Sequence, residues 1–328
     1  MRAALLCLFL SGCCAFSGPT WRGSVSDHFD GERFFPPVRE ERGVRDLVRW
    51  QVERGPRPVW HQVDAEPGPP PPRRVGIGGL RVTFVNHATV LLQMDGMNFL
   101  TDPIWSRRCS PLQTIGPARV RPPGIRFEDL PPIDAVLLSH DHYDHMDVPT
   151  LRQIEKAFPR ARIYAGLGNA EFLRSQHLHH VYDMEWWQSV RHGRAEIVGV
   201  PAQHFSGRGF CDRNGTLFLG YVVRGSSGSV YFAGDTGYSP HFAEIRKRLG
   251  PLRLAVLPLG AWSPEWFMAP MHMSPDKALQ AQQDLGAPQA VGMHFGTFQL
   301  ADEPQDDPQR VKSERFWVLD FGEGRDVP

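Results

Sequence analysis

One stretch constrains this chain more than any other: Ser139-His140-Asp141-His142-Tyr143-Asp144-His145-Met146-Asp147. It follows the apolar run Asp134-Ala135-Val136-Leu137-Leu138, which reads as a short buried strand after Pro131-Pro132. The polar cluster therefore sits at the C-terminal end of a core strand, where α/β folds place their chemistry. His140 and His142 are two residues apart, so an extended chain points both the same way. Asp144 and His145 turn back from the following loop toward a second point. One tetrahedral ion cannot readily take four ligands from the six residues 140–145, whereas two ions that share further ligands can. A solvated polar loop is the alternative, and three histidines directly after a core strand speak against it.

The rest of the chain repeats the pattern. Leu80–Val85, Thr89–Met94 and Asn98–Thr101 alternate as strands of a meander, with Asp95-Gly96 as a turn. Asp102 closes it, either orienting a ligating imidazole or capping the turn before Pro103. The strand Ala195–Val200 is followed by His204, and Ala290–Met293 by His294. Val230–Ala233 runs into Gly234-Asp235-Thr236-Gly237, where glycines let the backbone come close and Asp235 is placed to bridge two cations. Helices are expected over 148–158, 169–176 and 242–249. Another spans Lys277–Leu285, with Ser274 as N-cap and Pro275 in its first turn. His177, His179 and His180 lie away from any strand end and read as a surface turn. His28 and His61 read as surface or packing residues. A single histidine at a strand end is usually structural; their recurrence points to a shared site.

Composition narrows the partners. Lys+Arg and Asp+Glu are 36 each in 328 residues, so no global field favours nucleic acid. Arg107, Arg108, Arg119, Arg121 and Arg126 lie in a Pro/Gly-rich loop that either meets anionic head groups or forms a solvated rim, and the balanced net charge favours the rim. None of the five cysteines forms a Cys-x-x-Cys pair, so a metal must be held by His and Asp.

Residues 1–13 read as a targeting segment, with Arg2 before the apolar run Ala3–Leu10. Leu10-Ser11-Gly12-Cys13 resembles a bacterial lipobox, which implies a cell-envelope lipoprotein anchored at Cys13. The alternative is a cleaved signal and a secreted or periplasmic soluble protein. The apolar run is too short to span a bilayer. Residues 14–72 form an N-terminal segment ending in the stiff spacer Pro67-Gly68-Pro69-Pro70-Pro71-Pro72, and 73–328 the main domain.

Taken together, the His-x-His-x-Asp-His motif, the downstream His204, Asp235 in Gly-Asp-Thr-Gly and the final His294 resemble the metallo-β-lactamase superfamily. Asn86-His87-Ala88-Thr89, Thr101-Asp102-Pro103, Trp266-Phe267-Met268 and His294-Phe295-Gly296-Thr297 bring the chain nearest to the phospholipase D family that hydrolyses N-acylphosphatidylethanolamine, with its bacterial lipoprotein relatives. The resemblance covers roughly residues 74–320. It implies an α/β fold, a four-layer αββα sandwich, with two Zn2+ ions at one edge; iron or manganese also suit His/Asp sites. By this resemblance His140, His142 and His204 hold one metal, Asp144, His145 and His294 the other, and Asp235 bridges them. His272 matches a histidine beside the substrate and His87 a near-site position. The chain departs from the family at Asn86, where glycine is common, and at Met271, where the phospholipase has glutamine.

The implied activity is hydrolysis of a phosphodiester, as in an N-acylphosphatidylethanolamine-type phospholipid. Two cations lower the pKa of a shared water to about 7, and the resulting hydroxide attacks in line. Asp235 orients the hydroxide and His272 contacts the phosphate or leaving group. The alternatives are a lactonase or other ester hydrolase of the same superfamily, acting on a small polar substrate, and a non-catalytic envelope metal-binding protein. An apolar groove around Trp262, Trp266 and Phe267 would favour lipid. The expected partners are the phospholipid or small ester substrate and a membrane surface; oligomeric state is left open, a homodimer included.

Overall fold

The computed structural model describes residues 16–40, 42–209 and 211–328. The expected leader and Cys13 lie outside the described residues. Two seven-stranded sheets lie face to face. The first contains β1 (Leu80–Asn86), β2 (Thr89–Met94), β3 (Met97–Thr101), β4 (Ala135–Leu137), β5 (Arg162–Gly166), β6 (Val181–Met184) and the C-terminal β14 (Gly324–Asp326). Its order is β14-β1-β2-β3-β4-β5-β6. The second contains β7 (Ser189–His192), β8 (Ala195–Pro201), β9 (Leu219–Gly225), β10 (Gly228–Phe232), β11 (Leu254–Pro258), β12 (Gln289–Met293) and β13 (Phe316–Trp317). Its order is β13-β12-β11-β10-β9-β8-β7.

Side-chain alternation explains the layers. Val82, Phe84, Val90, Leu92, Phe99 and Leu137 point inward and pack with Ile197, Tyr221, Val230 and Phe232 of the second sheet. Their neighbours Val85, Leu91, Leu100 and Val136 point outward, under Leu151 and Ile154 of α2 (Val148–Ala157) and Leu173 of α3 (Asn169–Ser175). On the other side, α4 (His241–Leu249) and α6 (Pro275–Leu285) cover the second sheet with Phe242, Ile245, Ala278, Ala281 and Leu285. Each of the Val, Leu, Ile and Phe side chains contributes roughly 1.5–3 kcal/mol when fully removed from water. This is the αββα sandwich. The Asp95-Gly96 turn has φ of 52° and 81°, the paired positive values of a type I′ hairpin.

Strands β3 to β6 run parallel, and so do β10 to β12. Strand β8 is antiparallel to β9, which is antiparallel to β10, so β8 shares their direction. Ends of one polarity therefore gather at one edge. The edge strands β6, β7 and β14 and the single-turn helix α5 (Glu265–Met268) were not expected from the sequence; each is short, with little periodicity.

Residues 16–72 run across this body. Phe29 and Phe34 enter the inter-sheet core, and their rings pack 4.5 Å apart. Trp21 donates its backbone N–H to Gly215 at 2.6 Å, and Gly68 to Gly124 at 2.7 Å. The helix α1 (Val44–Glu53) seats Trp50 on Phe267, with centroids 5.0 Å apart. His28 stacks on Trp186 at 4.2 Å and behaves as a packing residue.

Candidate metal centre

Five strand ends converge. Asp102 follows β3, His140 to His145 follow β4, His204 follows β8, Asp235 follows β10 and His294 follows β12. His140, His142 and His204 bring ligand atoms within 4.8 Å of one another; so do Asp144, His145 and His294, with His87 beside them. Asp235 joins a group with His140 and His145, and another with His204 and His272. Its Oδ2 lies 3.1 Å from both His145 Nε2 and His294 Nε2, and 3.7 Å from His204 Nε2. It stands between the two triads.

The hydrogen bonds decide which ring atoms face inward. His145 donates its Nδ1–H to Asp102 Oδ2 at 2.7 Å, leaving Nε2 for the site. Ser139 Oγ donates to the same Asp102 oxygen at 2.5 Å and accepts from His140 Nδ1 at 2.9 Å, so His140 also turns Nε2 inward. His204 donates Nδ1–H to the Met271 carbonyl at 2.8 Å. A backbone oxygen does this work, so methionine at 271 leaves the bond intact. His142 instead presents Nδ1, 2.8 Å from His140 Nε2 and 3.4 Å from His204 Nε2. Anchoring the far nitrogen of an imidazole is how proteins orient metal-ligating histidines.

Glycine makes the approach of Asp235 feasible. Gly234 has φ of 60°, and a Cβ there would collide with the Ser139 side chain. Burial alone would raise the Asp235 and Asp144 carboxyls, but the neighbouring histidines hold both well below the usual carboxylate range. Burial alone would depress His145 and His294; facing carboxylates raise His145 well above its ordinary value and His294 to about 9. Burial, joined by neighbouring imidazoles, keeps His140 well below its ordinary value, as it does His204 despite the opposing pull of Asp235.

The residues fit a metal. His145 Nε2, His294 Nε2 and Asp235 Oδ1 are buried without hydrogen-bond partners. Among the described residues no Lys or Arg pairs with Asp144 or Asp235; only histidines do. Buried carboxylates and converging imidazole lone pairs call for cations.

His87 lies closer than its sequence position suggested. Its Nε2 is 2.9 Å from Asp144 Oδ2, while its Nδ1 is buried and unpartnered. Burial and the nearby His294 lower it to about 3, so the neutral ring donates Nε2–H and steadies Asp144. His272 is half-buried, with Nδ1 4.0 Å from Asp235 Oδ2. Asp102 is buried and bonds Ser139 and His145, which favours the orienting reading over a turn cap alone.

Arg119 is not a rim residue. It is half-buried, donates to Ile104 and Ser106 carbonyls and to Asn86 Oδ1 at 3.3 Å, and burial lowers it to about 10. Asn86 in turn donates to Ile104 O at 3.2 Å, so the side chain standing where glycine is common is absorbed by this network. Only the tertiary fold could reveal that. Phe267 is buried, while Trp266 is exposed and Trp262 half-buried with its Nε1–H on Asp307.

The sequence pattern of the Beta-lactamase superfamily domain matches residues 97–295. An uncharacterized protein of Mycobacterium bovis is 36% identical over 301 residues, covering 88% of this chain and 77% of its own. The N-acyl-phosphatidylethanolamine-hydrolyzing phospholipase D 1 of Caenorhabditis elegans is 35% identical over 267 residues, 75% of each chain. Among solved structures, a metallo hydrolase of Ignicoccus hospitalis superposes with a TM-score of 0.57 at 22% identity, covering 76% of this chain and 99% of its own. An isothiocyanate hydrolase from Delia radicum gut bacteria gives 0.60 at 20%, covering 75% and 98%. These two share the fold. With its His/Asp cluster able to bind metal, the chain belongs to the metallo-β-lactamase superfamily and is a metal-dependent hydrolase.

Proposed function

We propose that this protein is a binuclear zinc phosphodiesterase acting on a phospholipid of the N-acylphosphatidylethanolamine type. In this reading His140, His142 and His204 would hold one cation and Asp144, His145 and His294 the second, with Asp235 standing between the two triads. The observation that carries it is the position of Asp235 Oδ2, 3.1 Å from two orphaned imidazole nitrogens of one triad and 3.7 Å from His204 of the other. The 35% identity to a phospholipase D over 75% of both chains supports the substrate class.

Cations bound here supply Lewis acidity, lowering the pKa of water toward about 7 and neutralising charge on phosphoryl oxygens. The chain's own residues supply the order. Asp102 and Ser139 fix the rings of His145 and His140, and His87 fixes Asp144, so little reorganisation is left for the reaction. Asp235 stays ionised, and its buried Oδ1 would be free to accept a hydrogen bond. His272 would hydrogen-bond the phosphate or leaving oxygen in this reading, supported by its buried Nδ1 having no hydrogen-bond partner. Export and anchoring through Cys13 belong to the same reading, supported by Leu10-Ser11-Gly12-Cys13.

The test is paired. Metal content of the purified protein is measured, and phosphatidic acid release from N-acylphosphatidylethanolamine is compared with hydrolysis of simple lactones. Two zinc ions per chain and phosphatidic acid release, lost in His142→Ala, are expected. Turnover of lactones alone would overturn the lipid substrate, and metal-free protein with full activity would overturn the metal centre.

A further inference from the structure

Two histidines of the triad His140, His142 and His204 are anchored from behind, and one is not. His140 bonds Ser139, and His204 bonds the Met271 carbonyl. Among the described residues the His142 ring bonds only the other two members of the triad. What holds it from outside is packing. Phe205 sets its ring against His142 with centroids 4.5 Å apart, and against His204 at 4.7 Å. The orientation of His142 therefore depends on where the loop after His204 lies.

That loop is tied to the turn after β4 by Asp141, a buried acid the metal centre leaves unused. Asp141 stands between two ligands in sequence yet joins no donor group, and it is 1% exposed. Its Oδ1 accepts the Gly207 backbone N–H at 2.6 Å, and its Oδ2 accepts the Thr216 hydroxyl at 3.0 Å. These donors stand at opposite ends of one loop, which Ser206 closes by donating Oγ–H to the Thr216 carbonyl at 2.7 Å. Arg208 reaches back from the same loop. Its Nη1 donates to the Asp141 carbonyl at 2.7 Å and the Met146 carbonyl at 3.1 Å, spanning the turn that carries His142, Asp144 and His145. Burying a carboxylate is costly unless its oxygens are bonded, and here both bonds go to the segment that places Phe205.

We propose that Asp141 is a positioning residue that locks the loop after His204 onto the turn after β4 and, through Phe205, sets the rings of His142 and His204. The proposal rests on the assignment of those two histidines to one cation. With the lock in place the rings are ordered before a cation arrives. Without it, binding has to order them, and affinity falls.

The experiment uses the full chain. Zinc affinity is measured by chelator competition, and backbone hydrogen exchange of the metal-free protein by mass spectrometry. Asp141→Ala should lower zinc affinity by about 10–100-fold and speed exchange over residues 204–209 and 212–216. Asp141→Asn should stay close to wild type in both, because an amide still accepts from Gly207 and can donate to the Thr216 oxygen. Thr216→Val should fall between them, and adding it to Asp141→Ala should cost nothing further. Wild-type zinc affinity in Asp141→Ala overturns the proposal, as does lost affinity with unchanged exchange. An Asp141→Asn variant as weak as Asp141→Ala overturns it too, since charge would then matter and the two bonds would not. If Asp141→Ala does not fold, Thr216→Val decides, and unchanged affinity and exchange there overturn the lock. Faster exchange in Asp141→Ala, alongside a wild type that binds no zinc, supports the lock and overturns only the assignment of the cation.

Discussion

Asp102 Oδ2 lies 2.7 Å from His145 Nδ1, and both side chains are fully buried. The same oxygen accepts from Ser139 Oγ, whose other partner is His140. One carboxylate thus orients an imidazole of each triad, directly in one case and through a hydroxyl in the other. Asp102→Asn is expected to lower metal affinity by roughly 10–100-fold, with Ser139→Ala weakening only the His140 side. Competition titration against a zinc chelator checks both; equal metal affinity in Asp102→Asn would exclude the orienting role.

Gly234→Ala should be costly out of proportion to one methyl group. The residue has φ of 60°, and its Cβ would meet Ser139. The left-handed conformation alone costs about 1–2 kcal/mol for a residue with a Cβ, and the collision displaces Asp235. Lower thermal stability and lower metal content are expected together, measured by calorimetry and elemental analysis.

Removal of metal should destabilise the fold itself. Without cations, Asp144 and Asp235 rely on histidines alone, and six buried polar atoms of the site's side chains lack partners. Binding only to the folded state stabilises by about 2.7 kcal/mol at a hundredfold excess over Kd. A chelator should therefore lower the melting temperature, and added zinc should restore it. An unchanged melting temperature in demonstrably metal-free protein would contradict this.

His241 should make stability depend on pH. It is buried near the start of α4, bonds Ser239 Oγ at 2.5 Å, and burial lowers it to about 3 from 6.5. Between those values the unfolded chain binds the proton and the folded one does not. Its contribution is complete above pH 6.5 and is lost progressively as pH falls toward 3. His241→Gln should flatten the acid side of the stability curve in denaturant unfolding at pH 7 and pH 5, whatever its effect at neutral pH.

Trp50 ties α1 to the body. It stacks on Phe267, donates Nε1–H to Asp302 at 2.6 Å, and lies under the Arg54 guanidinium. Trp50→Ala should cost about 3–5 kcal/mol and leave the Asp302 carboxylate with Arg54 and Arg57 alone. Proteolysis within residues 42–57 would then accelerate relative to the sandwich, detectable by mass mapping of the first cleavage.

Much of this architecture was legible because its signals are local. A period of two along Leu80–Thr101 separates inner from outer side chains, and Asp95-Gly96 supplies positive φ where the hairpin needs it. Helix α6 starts at Pro275 after Ser274 as expected, although the Ser274 hydroxyl makes no capping bond and instead donates to Glu265 at 3.4 Å. The residues after each apolar run, His140 to His145, His204, Asp235 and His294, fall at strand ends for the same reason. Short edge strands such as β6 and β7 left no such trace, since four residues give too little periodicity to stand out.

Periodicity and spacing marked most of the strands, the ends at which His and Asp would stand, and a donor set suited to metal without cysteine, while the pairing of two sheets into a sandwich came only through the family resemblance. Tertiary structure alone decided which nitrogen of each imidazole faces inward, because those choices are made by Asp102, Ser139 and the Met271 carbonyl, distant along the chain. It also decided that Arg119 would leave the rim to bind Asn86 and two carbonyls, and that His87 would reach Asp144. Periodicity reports which face a side chain takes. Hydrogen-bond partners are set by where separate strands end in space, and that is fixed only when the sheets close on one another.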